Sequence, residues 1–216
     1  QEKNLNTWAI GQMNVLLHEL YDAKIQKGDT ITDPKCLTKH DELMVFDRVI
    51  ANPMWNQKEW NKDWVQDNEP YNRFPYGLPP SNRGDWAWIQ LMIASLNETG
   101  KAGVVMDNGV LFRSRSEKKI RKPILEDDLV EAVIALPENL FYNTSSPGCI
   151  LILNKDKPKE REGKVHFVYA EDQTLRESGV QVYEELSNQN QLTDEGGEYL
   201  AETFLTGREE DHHSRL

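Results

Sequence analysis

The sequence is poor in cysteine, in long apolar runs and in positive charge. Its two cysteines, Cys36 and Cys149, lie far apart without CxxC spacing, so no disulfide framework is indicated and a cytoplasmic location is expected. No stretch approaches the roughly 20 apolar residues that cross a membrane, so we expect a soluble protein with no membrane partner. Lys and Arg number 25 against 36 Asp and Glu, a formal net charge of -11, and any DNA contact must therefore be local or supplied by a partner.

Metal-binding patterns are also missing. The histidines show no metal-ligand spacing, and the pair His212-His213 near the end of the sequence is typical of a tail. We therefore predict no metal site in this chain.

Apolar periodicity predicts an α/β fold, and 216 residues suffice for one substantial domain. A 3.6-residue period predicts helices over 5–25, closed by Gly28, and over 85–96, closed by Gly100. A capping box predicts a third helix over 114–121 that Pro123 ends or kinks. Apolar, β-rich runs predict strands at 43–51, which we expect to be buried, and at 101–106, 129–136, 149–153 and 165–169. This alternation predicts a mostly parallel, doubly wound sheet with helices on both faces, in which the closely spaced late strands are candidates for antiparallel pairing.

Two segments fall outside this alternation. Residues 55–83 carry aromatic residues and prolines with little periodicity and predict a long ordered loop, a kind of segment that is often functional. Beyond Ala170 the chain is acidic and polar, with sparse apolar anchors. We therefore divide the chain into residues 1–170, an α/β unit, and residues 171–216, an acidic helical extension or tail that docks on another surface.

Asn52-Pro53-Met54-Trp55, the NPMW motif, directly follows the strand predicted at 43–51. The Asn side-chain carbonyl and the Pro backbone carbonyl are two acceptors in a stiff frame, because Pro fixes its own φ. Such a pair suits an exocyclic amine on a nucleobase, since acceptors on both N–H groups favour a more nucleophilic nitrogen without a strong base. A flat ring two residues later would stack on the base. Taken alone, the motif also fits a strand-ending turn with a core tryptophan.

The NPMW motif and its flanking blocks resemble one known family. The blocks are "QEKNLNTWAIGQMNVLLH" at the start, "GDTITDP" upstream, and "NRGDWAWIQLMIASL" and "MDNGVLFRSRSEKKIRKPILEDDLVEAVIALPENLFYNTSSPGCILILNK" downstream. Together they resemble the modification (M) subunit of type I restriction-modification systems, an N6-adenine DNA methyltransferase, from residue 1 to about 170. The resemblance implies a Rossmann-like fold that transfers a methyl group from S-adenosylmethionine to adenine N6 in DNA.

For the cofactor, the resemblance implies three binding residues. Glu2 matches the acidic residue that binds the ribose hydroxyls of S-adenosylmethionine, Asp29 matches the one near its adenine, and Asn52 of the motif also borders the cofactor. A solvated carboxylate at Glu2 and a helix-exit turn at Asp29 are the plainer alternatives. The family's Gly-rich cofactor loop is expected to precede residue 1, so residues 1–170 would be the C-terminal portion of the catalytic domain, inactive and a poor cofactor binder by themselves.

For the substrate, the resemblance implies that Asn52 and the Pro53 carbonyl hold the amine of a flipped adenine while Trp55 stacks on its ring. Phe141 matches the aromatic residue that packs on the other face of that base, with Tyr142 as its rival and core packing as the plainer alternative. Met54 stands where the family usually has a second Pro, which loosens the turn but leaves both acceptors intact.

The resemblance also implies partners: DNA, a specificity (S) subunit that reads the sequence, a restriction (R) subunit for cleavage and a second M subunit. A non-catalytic module that binds the S subunit is the alternative function, and methylation of a protein glutamine or a small-molecule amine is a third. One basic cluster either lines a phosphate-facing surface or forms a solvated helix face. Its members are Arg113, Arg115, Lys118, Lys119, Arg121 and Lys122.

Overall fold

Helices and strands alternate along the part of the chain that the computed structural model describes, residues 1–142, 144–170, 173–175, 179–209 and 213–216. The strands are β1 (Phe46–Ala51), β2 (Leu96–Asp107), β3 (Val130–Ala135), β4 (Gly148–Asn154), β5 (His166–Tyr169), β6 (Tyr183–Glu185), β7 (Asn190–Leu192) and β8 (Ser214–Arg215). The helices are α1 (Leu5–Leu17), α2 (Lys62–Asn68), α3 (Asp85–Ala94), α4 (Gly109–Phe112), α5 (Ser116–Glu126) and α6 (Asp194–Thr206), with a short 3₁₀ helix at Lys159–Arg161.

The main sheet has the strand order β1-β2-β4-β3-β5-β8, and β6 pairs with β7 apart from it. β1 with β2 and β3 with β5 are parallel, whereas β4 is antiparallel to both β2 and β3, and β8 is antiparallel to β5. The predicted α/β class and the antiparallel pairing of late strands are confirmed, but the sheet is mixed rather than mostly parallel. Parallel neighbours need a long crossover, which α2 and α3 supply between β1 and β2, whereas the described residues between β3 and β4 hold no helix.

Helices cover both faces of this sheet, as predicted. On one face α3 packs against β2, and Ile89 and Val104 share a buried cluster. On the other face α6 packs through Leu200. Because successive side chains of a strand point to opposite faces, Val133 joins the first cluster and its neighbour Ile134 joins the second.

The first helix and the first strand differ from expectation. The helix predicted over 5–25 ends at Leu17, because His18 is its C-cap and Glu19 takes a left-handed φ of 58°. No residue of α1 is buried. The strand expected to be buried is an edge strand of the described sheet, paired on one side by β2, and Ile50 is 92% exposed. A β-rich composition identifies a strand without identifying its neighbours.

Two further segments were assigned wrongly. α3 ends at Ala94 and β2 begins at Leu96, so Gly100 lies inside a strand instead of closing a helix. Its lack of a side chain has a packing reason, because a Cβ there would come within 2.9 Å of the Phe46 carbonyl oxygen. The segment predicted as one long loop, 55–83, contains the short helix α2.

α5 begins without the predicted capping box. Its N-cap is Arg115, which has a left-handed φ of 62° and makes no side-chain capping bond. Pro123 does not end the helix, which continues to Glu126. Pro123 lacks an N–H and forgoes one intrahelical bond, but its own carbonyl accepts the Asp127 N–H at 2.8 Å and closes the last turn.

The described residues beyond 170 pack on the sheet of the same chain. Val182 and Leu200 share a buried cluster with Ile134, and β8 extends the sheet beside β5. α6 is helical, while the boundary at 170 remains a prediction, and His212 lies outside the described residues. Within the described part of the chain, no helix combines the length and the apolar content that a membrane crossing requires.

Candidate functional site

The NPMW motif lies at one edge of the sheet. β1 and β2 are parallel, so their carboxyl ends, at Ala51 and Asp107, face the same edge, where α/β proteins bind their ligands. Asn52 is exposed and Pro53 is half-buried. Among the described residues, neither the Asn52 side chain nor the Pro53 carbonyl has a hydrogen-bond partner. Both oxygens are therefore available as acceptors.

Trp55 is anchored in two ways. Its indole Nε1–H donates to the Val105 carbonyl of β2 at 3.2 Å, and its ring meets Phe141 edge to face, with centroids 4.6 Å apart and 71° between the planes. Gly148, the first residue of β4, makes this contact possible, because a Cβ there would lie 2.8 Å from both rings. The sequence analysis did not single out Gly148, and the only signal was a glycine directly before an apolar strand.

One cavity of about 550 Å³ gathers the residues that the sequence predicts for base binding. Asn52, Pro53, Trp55, Phe141 and Tyr142 all line it. Tyr142 is 89% exposed, so its ring is available at the rim. Trp55 and Phe141 touch each other, so no planar ring fits between these two in this arrangement. The role of Phe141 on the opposite face of a base remains a prediction.

Glu2 and Asp29 lie close to each other and apart from that cavity. Glu2 lies in a short parallel pairing, in which the Gly28 N–H donates to the Glu2 carbonyl at 3.0 Å. Asp29 Oδ1 accepts the Ile31 N–H at 2.9 Å, and Oδ2 pairs with Lys3 at 3.2 Å. Burial opposes ionisation of this carboxyl, but the hydrogen bonds and the Lys3 charge outweigh it and hold the pKa of Asp29 below its ordinary value.

A second cavity, of about 340 Å³, lies between the motif and the residues next in sequence to these carboxylates. Gln1 and Thr30 line it, and so do Asn52 and Pro53. Glu2 and Asp29 themselves are not among the lining residues of either cavity. The NPMW motif therefore borders two cavities, one beside the predicted cofactor residues and one among the predicted stacking residues.

A polar network around the buried Asp85, behind the motif, was not predicted. The Asp85 carboxylate is 0% exposed; Oδ1 accepts the Asn56 N–H and Oδ2 accepts the Arg113 guanidinium, both at 2.6 Å. Arg113 also donates to Asn56 Oδ1 at 2.8 Å and to the Asp107 carboxylate. Glu117 is buried 4.0 Å from Arg113, and burial raises the pKa of its carboxyl although nearby guanidinium groups oppose the shift. The network joins the residue after the motif to the end of β2.

Two members of the basic cluster are therefore not on a solvated face. Arg113 is half-buried in the polar network around Asp85, and Arg121 is half-buried and donates to the Val110 and Arg113 carbonyls at 2.9 and 3.1 Å. Neither a phosphate-facing surface nor a solvated helix face describes these two members, because internal acceptors hold their guanidinium groups. The exposed members are Arg115, Lys118, Lys119 and Lys122.

Comparisons with known proteins bear on the fold and the family of this chain. The fold is similar to the crystal structure of a type I restriction-modification system methyltransferase subunit from Streptococcus thermophilus, with a TM-score of 0.84 and 26% identity over 100% of this chain and 43% of that one. The MjaVIII methylase subunit of Methanocaldococcus jannaschii is 41% identical over 98% of this chain and 36% of its own length. The HindI methylase subunit of Haemophilus influenzae is 36% identical over 82% of this chain and 40% of its own length. Both are named as type I restriction enzyme subunits.

Together, the mixed sheet and these likenesses define an α/β fold of the methyltransferase type. A family model described as N-6 DNA Methylase matches residues 1–216, and the chain belongs to that family. The resemblance inferred from the NPMW motif and its flanking blocks is thereby confirmed. The chain spans 36% and 40% of the length of the two curated relatives.

Proposed function

We propose that this chain belongs to an M subunit of a type I restriction-modification complex, which transfers a methyl group from S-adenosylmethionine to adenine N6 in DNA. One observation carries the proposal: two acceptors, on Asn52 and Pro53, that have no partner in the described part of the chain border a cavity that also presents Trp55 and Tyr142. Adenine combines a flat ring with an exocyclic amine, so its binding calls for an aromatic surface and a pair of acceptors together.

The acceptor pair acts on the amine. Asn52 Oδ1 and the Pro53 carbonyl each accept one N–H, which holds the nitrogen in place and draws its lone pair out of the ring system. The fixed φ of Pro53 keeps the two oxygens at a constant spacing. S-adenosylmethionine, when bound, supplies the methyl group. The surplus proton of the amine passes to solvent, which reaches the site because Asn52 is exposed.

The aromatic residues hold the extruded base. Stacking contributes about 1 to 3 kcal/mol per base, which offsets much of the few kcal/mol that extrusion from a duplex requires. Trp55 is already fixed by Val105 and Phe141, so its ring loses little conformational freedom on binding. Since Phe141 is committed to Trp55 while Tyr142 is exposed at the rim, this arrangement favours Tyr142 for the opposite face of the base.

In this proposal Glu2 and Asp29 would hold the cofactor, and Asn52 would lie between these residues and the substrate. The second cavity fits that role, because it borders Asn52. Glu2 uses one carboxylate oxygen to accept the Asn4 N–H at 2.7 Å, and its other oxygen has no partner among the described residues. Both oxygens of Asp29 are used within the fold. Glu2 is therefore the better candidate for a ribose hydroxyl.

Partners follow from the same proposal: DNA, an S subunit, an R subunit and a second M subunit. Residues 1–170 are proposed as the C-terminal portion of the catalytic domain, and 171–216 as an extension of it. A second candidate is a module that binds the S subunit without methyl transfer. The exposed apolar side chains of α1, among them Ile10 and Leu17, favour some binding surface in that region.

Asn52→Ala in the full-length protein tests the proposal. Loss of one of two acceptors should lower the rate of adenine methylation by about 10² to 10³, while the protein still co-purifies with its S subunit. Transfer of a radiolabelled methyl group to DNA measures the rate, and Asn188→Ala, at an exposed position away from both cavities, is the control. Unchanged methylation would remove Asn52 from the mechanism, and a wild-type protein that binds the S subunit without methylating DNA would favour the binding module.

A further inference from the structure

Arg113 joins the chain segment after the NPMW motif to the end of β2. We propose that Arg113 is a positioning residue, which holds Asn56 and thereby the NPMW motif in place, and that Gly109 is required for it to do so. The catalytic consequence of this role rests on the proposed function, whereas the structural consequence does not.

The Asp85 carboxylate anchors the first part of this arrangement. It is fully buried, and its two oxygens are divided between the Asn56 N–H and the Arg113 guanidinium. Without Arg113 this carboxylate would lack its buried ion-pair partner, so Arg113 supports the acceptor that holds the Asn56 N–H. Asn56 directly follows Trp55 and has a left-handed φ of 53°, a backbone state that the surroundings must stabilise.

The guanidinium supplies the second part. Its planar array of N–H groups reaches Asn56 Oδ1 at 2.8 Å and also the Asp107 carboxylate. Asp107 lines the same cavity as Asn52, and Arg113 compensates its negative charge there. A lysine has a single ammonium group without this planar array and cannot hold three such acceptors in the same way.

Gly109 gives independent support. A Cβ added to this residue would overlap the Arg113 guanidinium, to which its three nearest atoms all belong. Gly109 is the first residue of α4, and its φ does not demand a glycine. Alanine there is compatible with the helix and would act by displacing the Arg113 side chain.

The test measures the ¹⁹F NMR line of Trp55 in the full-length protein labelled with 5-fluorotryptophan. The Trp55→Phe variant identifies this line by its loss. Arg113→Ala, Arg113→Lys and Gly109→Ala should each shift or broaden that line. The matched control is Arg161→Lys, the same substitution at an internal arginine that pairs with Glu131 near the other end of the sheet. It should leave the Trp55 line in place.

A Trp55 line that stays unchanged in folded Arg113→Ala and Gly109→Ala proteins would overturn the proposal. Restoration of the line by Arg113→Lys would also overturn it, because a charge pair with Asp85 would then suffice. In the methylation assay we expect Arg113→Ala and Gly109→Ala to lower kcat by about a hundredfold, as a small misplacement of a reacting group does, with the KM for DNA little changed. If the wild-type protein transfers no methyl group, the proposed function fails, and the fluorine spectra still decide the role of Arg113.

Discussion

Two regions of this chain carry the same apolar pattern and end in different environments. In the covered region, built from α3, α5 and β2 to β4, helical spacing places Ile89 and Ile93 in a buried cluster. In the uncovered region, α1 and β1, the same spacing leaves Ile10 and Leu17 66% and 77% exposed. Periodicity therefore specifies one face of a helix, whereas burial depends on what packs against that face. The NPMW motif follows the uncovered β1 and rests on the covered β2.

The largest expected effect is a difference in the free energy of unfolding when the same substitution, Ile→Ala, is made once in each region. Ile89→Ala removes a fully buried side chain and should lower the free energy of unfolding by about 2 to 5 kcal/mol. Ile10→Ala, on the exposed α1, should change it by less than about 0.5 kcal/mol. Urea unfolding of both variants measures the difference. Equal losses would show that α1 is covered in solution.

A smaller loss of stability is expected where the two regions meet, at the contact of Gly148 with Trp55 and Phe141. Gly148→Ala would bring a Cβ within 2.8 Å of both Trp55 and Phe141, and such overpacking costs about 1 to 3 kcal/mol. Gly103→Ala is the matched control, because the nearest atom, Ile152 Cδ1, would lie 3.9 Å away. Thermal unfolding and the near-ultraviolet circular dichroism of the aromatic residues report the outcome. An unaltered aromatic signal in Gly148→Ala would contradict the close contact.

The smallest effect is a pH dependence. Burial and the nearby Arg161 charge lower the pKa of His166 below its ordinary value of 6.5. The unfolded chain then binds a proton that the folded chain does not, so stability is full above pH 6.5 and falls as the pH drops below it, by at most about 1.4 kcal/mol per pH unit. His166→Gln should remove this slope in urea titrations, and His18→Gln, on the exposed end of α1, should not. An identical slope in both variants would rule His166 out as the source.

Sequence reasoning succeeds here where the signal is local. Apolar, β-branched runs located β3 and β4 to within a residue or so, and the NPMW motif was placed correctly at the end of β1. These features depend on residues next to one another in the chain. The flanking blocks then sufficed to identify the family.

The features that sequence reasoning missed depend on distant pairs. Trp55 bonds to Val105, 50 positions away, and Arg113 bonds to Asn56, 57 positions away. Arg113 looked like one member of a basic run, because nothing in its neighbourhood shows that Asp85 will face it. The role of Gly148 was missed for the same reason. A side chain is excluded there by the rings of Trp55 and Phe141, which lie on two other segments of the chain.

The ladder between β2 and β4 ends at the cavity that we propose for base binding. Asp107 and Gly148 form its last pair; β2 then leads through Asn108 into α4, and a loop precedes β4. The part of the cavity lined by Asp107 is therefore held by the sheet, because the peptide groups of β2 and β4 are bonded to each other there. Any adjustment to the shape of an incoming base must come from the rim, where Met54 and Tyr142 stand on segments outside that ladder. Selectivity among bases would accordingly be tuned by exchanging rim side chains on an unchanged platform.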